Sequence, residues 1–392
     1  MNWPLMGETI TFLDRVKISS FVMTTKRFTM GEKVKKFESE WSKWLGAKHS
    51  LFVTSGSTAN TLLVSSIKEL FKLKDGDKVL VPACTWVTNI SPIFQCGLQP
   101  IFCDINLKNY SFDISEVEKI GKKHKDIKMI FVTHLLGFSA QNHILQKVFP
   151  NAIIIDDICE SHGCLDNEGF KYGSKSLGAT FSFYFGHHMS TIEGGMISTN
   201  NTELYDIMRM KRSHGMARES MNSKEYAEKY KNIESTFLFM TDGYNFRNHE
   251  ICAVLGLSQL KRLDKMIEKR RRNYDDYVNL INKFSNLFYP HEYQEGNSSF
   301  CFPFICKNKN IANEMKKVFK KNQIEYRPIV SGNLLTQPFL LERSYKLETT
   351  KNISNVDILH DQGVYIGNSH FIGKKHMKLL LKSLEEVNEN VG

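Results

Sequence analysis

Between residues 180 and 199 the chain reads Thr-Phe-Ser-Phe-Tyr-Phe-Gly-His-His-Met-Ser-Thr-Ile-Glu-Gly-Gly-Met-Ile-Ser-Thr, and the groups there able to do chemistry are the adjacent imidazoles of His187 and His188. Imidazole, with an unperturbed pKa of about 6.5, moves protons near neutrality. The apolar runs 180–185 and 196–198 predict two strands, which leaves the histidines and two glycines in a polar loop of the kind that carries binding groups. A second candidate, Asp157, closes the run Ala-Ile-Ile-Ile-Asp-Asp. A carboxylate at the carboxyl end of a buried parallel strand lies where open α/β sheets bind ligands. Thr54-Ser-Gly-Ser-Thr-Ala-Asn60 follows a short strand and opens a helix. Unpaired backbone N–H groups and small hydroxyls converge at that positive helix end and favour a phosphate. Ser182 offers one more hydroxyl, and Trp86 a flat face for an aromatic ring. Each of these also has an ordinary structural reading, as a capped turn, a helix cap or a core tryptophan, so the case rests on their occurring together.

The elements that must position them alternate. Strands are expected at 50–53, 78–81, 99–104, 129–134 and 152–156, with helices from about 58, near 88–94, from 113 and from 141. Such alternation over more than a hundred residues predicts βαβ units and a mainly parallel sheet covered by helices. Ahead of it, residues 31–45 place Val34, Phe37, Trp41 and Trp44 or Leu45 on one helical face. Beyond the histidine loop come a helix over 201–214, a long polar connection over 215–247, and helices over 248–260 and 264–284. A connection of that length is usually functional or an interface. A strand at 299–305, a helix near 311–322, a strand at 324–330 and a helical tail from 374 then form a smaller α+β unit. The expected division is a large domain over 1–264 and a small C-terminal domain over 265–392.

Composition narrows the class. With 392 residues, 41% hydrophobic and 24% charged, the chain can bury about 75% of its unfolded surface without staples. It offers no 18-residue apolar run to span a bilayer, and its start, Met-Asn-Trp-Pro-Leu, lacks the pattern of a secretory signal. A cytoplasmic location is expected. The eight cysteines form no Cys-x-x-Cys pair, which predicts separate thiols and no zinc site. The net charge of +10 lacks the interleaved aromatics of a nucleic-acid surface but would draw in an anionic small substrate.

Taken in order, these pieces resemble the sugar aminotransferases that use pyridoxal phosphate (PLP), built on the aspartate aminotransferase-like fold type I. The resemblance runs from Arg27-Phe-Thr-Met-Gly31 to Ile366-Gly-Asn368. It implies that Gly56, Ser57 and Ser182 hold the phosphate, Trp86 stacks on the ring, Asp157 pairs with the ring nitrogen and Glu160 lies near the phenolic oxygen. It further implies a homodimer in which Asn245, of Gly243-Tyr-Asn245, reaches the partner's phosphate.

The family's cofactor lysine is missing, and histidine stands there. Imidazole cannot make the covalent link of a lysine amine, so PLP and pyridoxamine phosphate are expected to bind non-covalently. Within the family this substitution resembles the 3-dehydratases of nucleotide-linked 4-keto-6-deoxy sugars. The implied reaction removes the C3 hydroxyl of a sugar such as GDP-4-keto-6-deoxymannose, with glutamate as amino donor and release of 2-oxoglutarate and ammonia. Counting forward from Phe181-Ser-Phe selects His187; counting back from Glu193-Gly-Gly selects His188, which is the favoured base and acid. His214 and Arg327 are candidates for substrate contact, the arginine suiting a diphosphate. A related dehydratase carries an iron-sulfur cluster on cysteines one residue apart, and no Cys-x-Cys occurs here. The rival readings are an aminotransferase anchored through Lys171 or Lys175, and a cofactor-binding protein without activity.

Overall fold

A computed structural model describes residues 2–140, 142–291, 296–342, 348–349 and 353–392. Seven strands come from its first half: β1 (His49–Val53), β2 (Lys78–Pro82), β3 (Gln99–Cys103), β4 (Ile127–Thr133), β5 (Ile153–Asp157), β6 (Ala179–Ser182) and β7 (Gly195–Thr199). Four follow: β8 (Cys301–Ile305), β9 (Tyr326–Pro328), β10 (Glu348–Thr349) and β11 (Gly363–Gly367). Among the described residues the main sheet has the order β1-β7-β6-β5-β4-β2-β3-β10, with β7 antiparallel to both its neighbours and the remaining pairs parallel. This is the mainly parallel α/β architecture expected from the alternation. Its strands are buried on both faces. The helix Gly56–Leu70 covers one side through Ala59, Leu62, Leu63 and Ile67, and the helix Ile114–Lys123 covers the other through Val117 and Ile120.

The expected N-terminal helix is Glu32–Leu45, and it buries Val34, Phe37, Trp41 and Leu45, whereas Trp44 lies at the edge and donates its indole N–H to Asp264 Oδ1 at 2.8 Å. Four α-helices among the described residues lie outside the expected set, Pro338–Leu341 and Ser354–Gln362 in the C-terminal part and two earlier in the chain. Phe12–Thr24 buries Asp14 and leaves Phe12, Leu13 and Met23 exposed, so its apolar residues mark no inward face. Ser223–Lys229 lies inside the supposed loop of 215–247 and buries none of its residues, which is why periodicity gave no sign of it. The helix expected from 141 is seen as Asn142–Val148; residue 141 itself lies outside the described residues.

β8, β11 and β9 form an antiparallel sheet in that order, packed against the helices Lys309–Lys321 and Lys374–Val391. Two features join this lobe to the main one. The helix Leu263–Ile281 packs Leu263, Met266 and Ile267 into the same core as Trp41, and Tyr274, Tyr277 and Leu280 into the core of the small lobe. A division at 264/265 therefore falls at the start of a helix that both cores share. Trp3 belongs to the small lobe, where it bridges to Ile324 and donates its indole N–H to Gly367 O at 2.9 Å.

Trp41 is fully buried, with the rings of Phe181 and Phe183 at 5.0 and 4.9 Å between centroids. Trp41→Ala is expected to cost about 3–5 kcal/mol, read in urea unfolding as a lower midpoint at unchanged slope.

Candidate active site

The carboxyl ends of β4, β5 and β6 and the amino end of the helix Gly56–Leu70 surround a cavity of about 360 Å³. The small lobe contributes Tyr365 of β11 to its wall, Phe300 enters just before β8, and Met6 comes from the N-terminal segment. A wider hollow of about 870 Å³, lined by Arg27, Arg209 and Arg212 among others, opens at the amino end of β1 and holds none of the groups singled out in the sequence.

The helix that opens on the cavity is held by a reciprocal cap. Ser55 Oγ accepts from Thr58 N at 3.1 Å, and Thr58 Oγ1 accepts from Ser55 N at 3.0 Å. The N–H groups of Gly56 and Ser57 find no partner among the described residues, as the geometry of a first helical turn dictates. A Cβ on Gly56 would lie 2.7 Å from Ser182 Cβ. Only glycine lets the helix end approach β6 so closely, which brings the two N–H groups and the hydroxyls of Ser57 and Ser182 to one wall.

Asp157, buried at the end of β5, is held from three directions. Its Oδ2 accepts from Asn60 Nδ2 at 3.0 Å and Asn89 Nδ2 at 2.9 Å, and its Oδ1 accepts from Cys159 N at 2.9 Å. Asn60 is itself oriented by Thr180 Oγ1, which donates to its Oδ1 at 2.6 Å. A carboxylate offers about four acceptor sites, so one on Oδ1 is left for a cationic N–H. Trp86 lines the same cavity at 55% exposure, its face uncovered. Such a set suits a flat, phosphorylated heteroaromatic with a basic ring nitrogen.

Two further groups on the wall have displaced titrations. Glu160 is pushed up to about 7 by desolvation, against the pull of Leu136 N–H, which its Oε2 accepts at 2.9 Å, and with the charge of Asp157 adding to the rise. His187 is pushed down to about 4, again by desolvation; its bond to the Cys159 carbonyl and the charge of Asp157 oppose the fall, and Arg270 adds to it. Its Nδ1 faces the Cys159 carbonyl. A carbonyl only accepts, so Nδ1 carries the proton and Nε2 presents a lone pair.

Gly56, Ser57, Trp86, Asp157, Glu160, Ser182 and His187 thus meet in one cavity. His188 does not. It is fully buried and points the other way, with Nε2 against Ser298 O at 3.1 Å. The loop spacing favoured His188, whereas it is His187 that lines the cavity, the two neighbours projecting to opposite sides of the loop. Asn245, His214 and Arg327 also lie off the wall. Asn245 is exposed and accepts from Arg247 Nε at 3.0 Å, and His214 Nε2 lies 3.2 Å from the same guanidinium. Arg327 is exposed on β9, paired in register with Tyr365 of β11. Sequence reasoning missed Asn60, Asn89, Tyr365, Phe300 and Met6. For Asn60 a signal existed, since it lies four residues after Gly56 and so on the same helical face; the last three arrive from distant parts of the chain.

A mainly parallel α/β fold with an open helix N-terminus, a buried carboxylate and an imidazole in one cleft defines the class, and the chain belongs to the DegT/DnrJ/EryC1/StrS aminotransferase family, which it matches over residues 14–370. It is similar to the GDP-4-keto-6-deoxy-D-mannose 3-dehydratase of Escherichia coli O55:H7, at 34% identity over 94% of this chain and 95% of that one. A solved structure of the Escherichia coli enzyme of that name with bound hydrated PLP covers 98% of this chain and 99% of its own, at TM-score 0.91 and 31% identity. A second solved 3-dehydratase, with a trapped PLP-glutamate geminal diamine, aligns at TM-score 0.89 and 30% identity over 98% of this chain and 100% of its own.

The raised Glu160 has a consequence for stability. Its folded pKa of about 7 lies above the ordinary 4.5, so between those values the folded state holds a proton that the unfolded state has lost, and stability falls as pH rises through that window. Glu160→Gln, which cannot ionise, is expected to gain on the parent protein between pH 4.5 and 7, measured as the difference in urea midpoints.

Proposed function

We propose that the chain is a PLP-dependent 3-dehydratase of a nucleotide-linked 4-keto-6-deoxy sugar, with GDP-4-keto-6-deoxymannose as substrate and glutamate as amino donor. The observation that carries this reading is His187 on the cavity wall with its Nδ1 on the Cys159 carbonyl and its Nε2 left with a lone pair; counting forward from Phe181-Ser-Phe sets this residue at the family's lysine position. The relatives' activity, and the glutamate adduct of one of them, support it.

The N–H groups of Gly56 and Ser57 and the hydroxyls of Ser57 and Ser182 bind the phosphate, and Trp86 covers one face of the ring. Asp157, fixed by Asn60, Asn89 and Cys159 N–H, would accept a hydrogen bond from a protonated ring nitrogen and so keep it protonated. When bound there, PLP supplies an electron-withdrawing ring that stabilises negative charge on carbon next to the joined amine. His187 Nε2 would take up a proton on the cavity side and return it to the departing C3 hydroxyl, so one imidazole would serve as base and then as acid. Desolvation makes its protonated form a strong donor, which favours the second transfer. The water lost at C3 balances the water consumed in releasing ammonia, and glutamate leaves as 2-oxoglutarate.

The cavity wall holds no lysine among the described residues. Lys171 donates to Trp44 O at 2.8 Å and Lys175 to Glu168 Oε2 at 2.6 Å, both outside it. This disfavours the aminotransferase alternative. The joint presence of phosphate, ring-face and ring-nitrogen groups weighs against an inactive protein.

Asn245, exposed in one chain, and the half-buried His214 are assigned to the second active site of a homodimer, and the net charge of +10 draws in the sugar diphosphate. No helix among the described residues is long and apolar enough to cross a membrane, and a cytoplasmic location is proposed with the reaction.

Incubation of the protein with PLP, glutamate and GDP-4-keto-6-deoxymannose is expected to yield ammonia, 2-oxoglutarate and a product lighter by one oxygen. His187→Asn is expected to lower that rate by about 10²-fold or more. An amino sugar formed without ammonia would refute the dehydratase reading.

A further inference from the structure

Residues 298–300, at the junction of the two lobes, are held by an unusual set of bonds. Three successive backbone carbonyls each accept from a different buried side chain. Ser298 O takes His188 Nε2 at 3.1 Å, Ser299 O takes Asn368 Nδ2 at 2.9 Å, and Phe300 O takes Arg270 Nη1 at 2.9 Å. His188, Asn368 and Arg270 are 0%, 2% and 4% exposed. Two N–H groups of the same segment face the main lobe: Ser298 N donates to Gly137 O at 2.9 Å and Phe300 N to Leu136 O at 3.2 Å.

The approach of the two backbones is as close as chemistry allows. Gly137 has a φ of +90°, and a Cβ there would lie 2.5 Å from Phe300 N. Ser299, at a φ of 55°, takes the left-handed conformation rarely adopted by residues other than glycine. A segment bonded on both sides, with a strained turn at its centre, is rigid by construction, and such strain persists where the surroundings over-determine it.

What the segment presents is the ring of Phe300. That ring lines the cavity and packs on His187 with centroids 5.6 Å apart and planes 40° from one another. It leans equally on His188, at 5.9 Å. The two histidines therefore divide the work. One reaches the cavity, and the other fixes the aromatic that confines the first.

We propose that Phe300 is the positioning residue for His187, and that His188, Asn368 and Arg270 form the clamp that holds Phe300 against it. The ring keeps water from His187 and limits rotation of the imidazole, so that Nδ1 stays on the Cys159 carbonyl and Nε2 stays on the cavity side. A base and acid that must act twice in one turnover at a single atom needs such confinement more than a flexible lysine does. The proposal deepens the dehydratase reading and rests on it for the meaning of Nε2, but its test does not.

The test reads the imidazole directly in the full-length chain, by two-bond ¹H–¹⁵N correlation of labelled histidines, with the His187 signals assigned by their loss in His187→Asn. The charged and titratable groups around His187 are Asp157, Cys159, Glu160, Tyr184, Glu193, Arg270, Tyr365, His134, His162 and His188, and changes at Phe300 substitute none of them. The parent protein should show a single Nδ1–H tautomer and a midpoint near 4. Phe300→Ala should raise that midpoint by about one unit or more and mix the tautomers, because water returns to the ring. Phe300→Tyr, which keeps the flat face, should restore the parent behaviour. His188→Leu, which removes the donor to Ser298, should behave as Phe300→Ala does, and His188→Asn, whose amide can still donate, should not. Should a truncation fail to fold, Phe300→Leu, which keeps bulk but loses the flat face, gives the same reading. An unchanged His187 midpoint and tautomer in Phe300→Ala or Phe300→Leu would overturn the proposal, as would a parent midpoint near 6.5. No substrate is needed, so a failed dehydratase assay and a failed clamp are separate results.

Discussion

The carboxylate of Asp157 is the point on which the candidate site depends. Its oxygens collect an amide from the helix Gly56–Leu70, an amide from the turn after β2, and the N–H of its own loop, while Thr180 of β6 orients the first of these. Four elements far apart in the chain are thereby set around one anion. A buried carboxylate with fewer donors would be costly to keep charged. The arrangement holds the carboxylate through Asn60, Asn89 and Cys159 at the cavity wall, and in the proposed reading this is where a ring nitrogen would sit. Gly56 and Ser57 follow from the same constraint, since the helix that brings Asn60 to Asp157 also brings its amino end to Ser182.

Burial then sets the proton chemistry. Glu160 and His187 share a wall with Asp157, and desolvation favours the neutral form of each, raising the acid to about 7 and lowering the imidazole to about 4. The imidazole is thus neutral above about pH 4, and the Glu160 carboxyl keeps its proton up to about pH 7. A neutral imidazole with one nitrogen committed to a carbonyl has a single free lone pair, and that is the economical requirement for a group that takes a proton and gives it back. A lysine in that place would form a covalent bond instead. The replacement of an amine by an imidazole changes what the cavity can do without changing the cradle around it.

Much of this was legible in the sequence, and what was not has physical reasons. The alternation of strands and helices fixed the sheet, and Asp157, Gly56, Ser57 and Trp86, which line one cavity, could be singled out because each lies at a strand end, after a strand or at a helix start, where local pattern implies place. The choice between His187 and His188 was not legible, because one residue of loop spacing decides which side a side chain faces, and the β6 to β7 loop is anchored by contacts from residues 298–300 and 259 that no local pattern reveals. Phe300, Tyr365 and Met6 reach the cavity only through the packing of the lobes. The helix Phe12–Thr24 was missed for a different reason: its apolar residues point outward, so the inward periodicity on which helix recognition relies is absent.

The central claim is that position 187, and not 188, stands where the family's lysine would meet the cofactor. Its most direct test is borohydride reduction of PLP-loaded His187→Lys and His188→Lys, followed by peptide mass spectrometry. The account predicts a pyridoxyl group on Lys in the first variant and none at the substituted position in the second. Labelling of the second with none in the first would contradict it and return the catalytic role to the buried histidine.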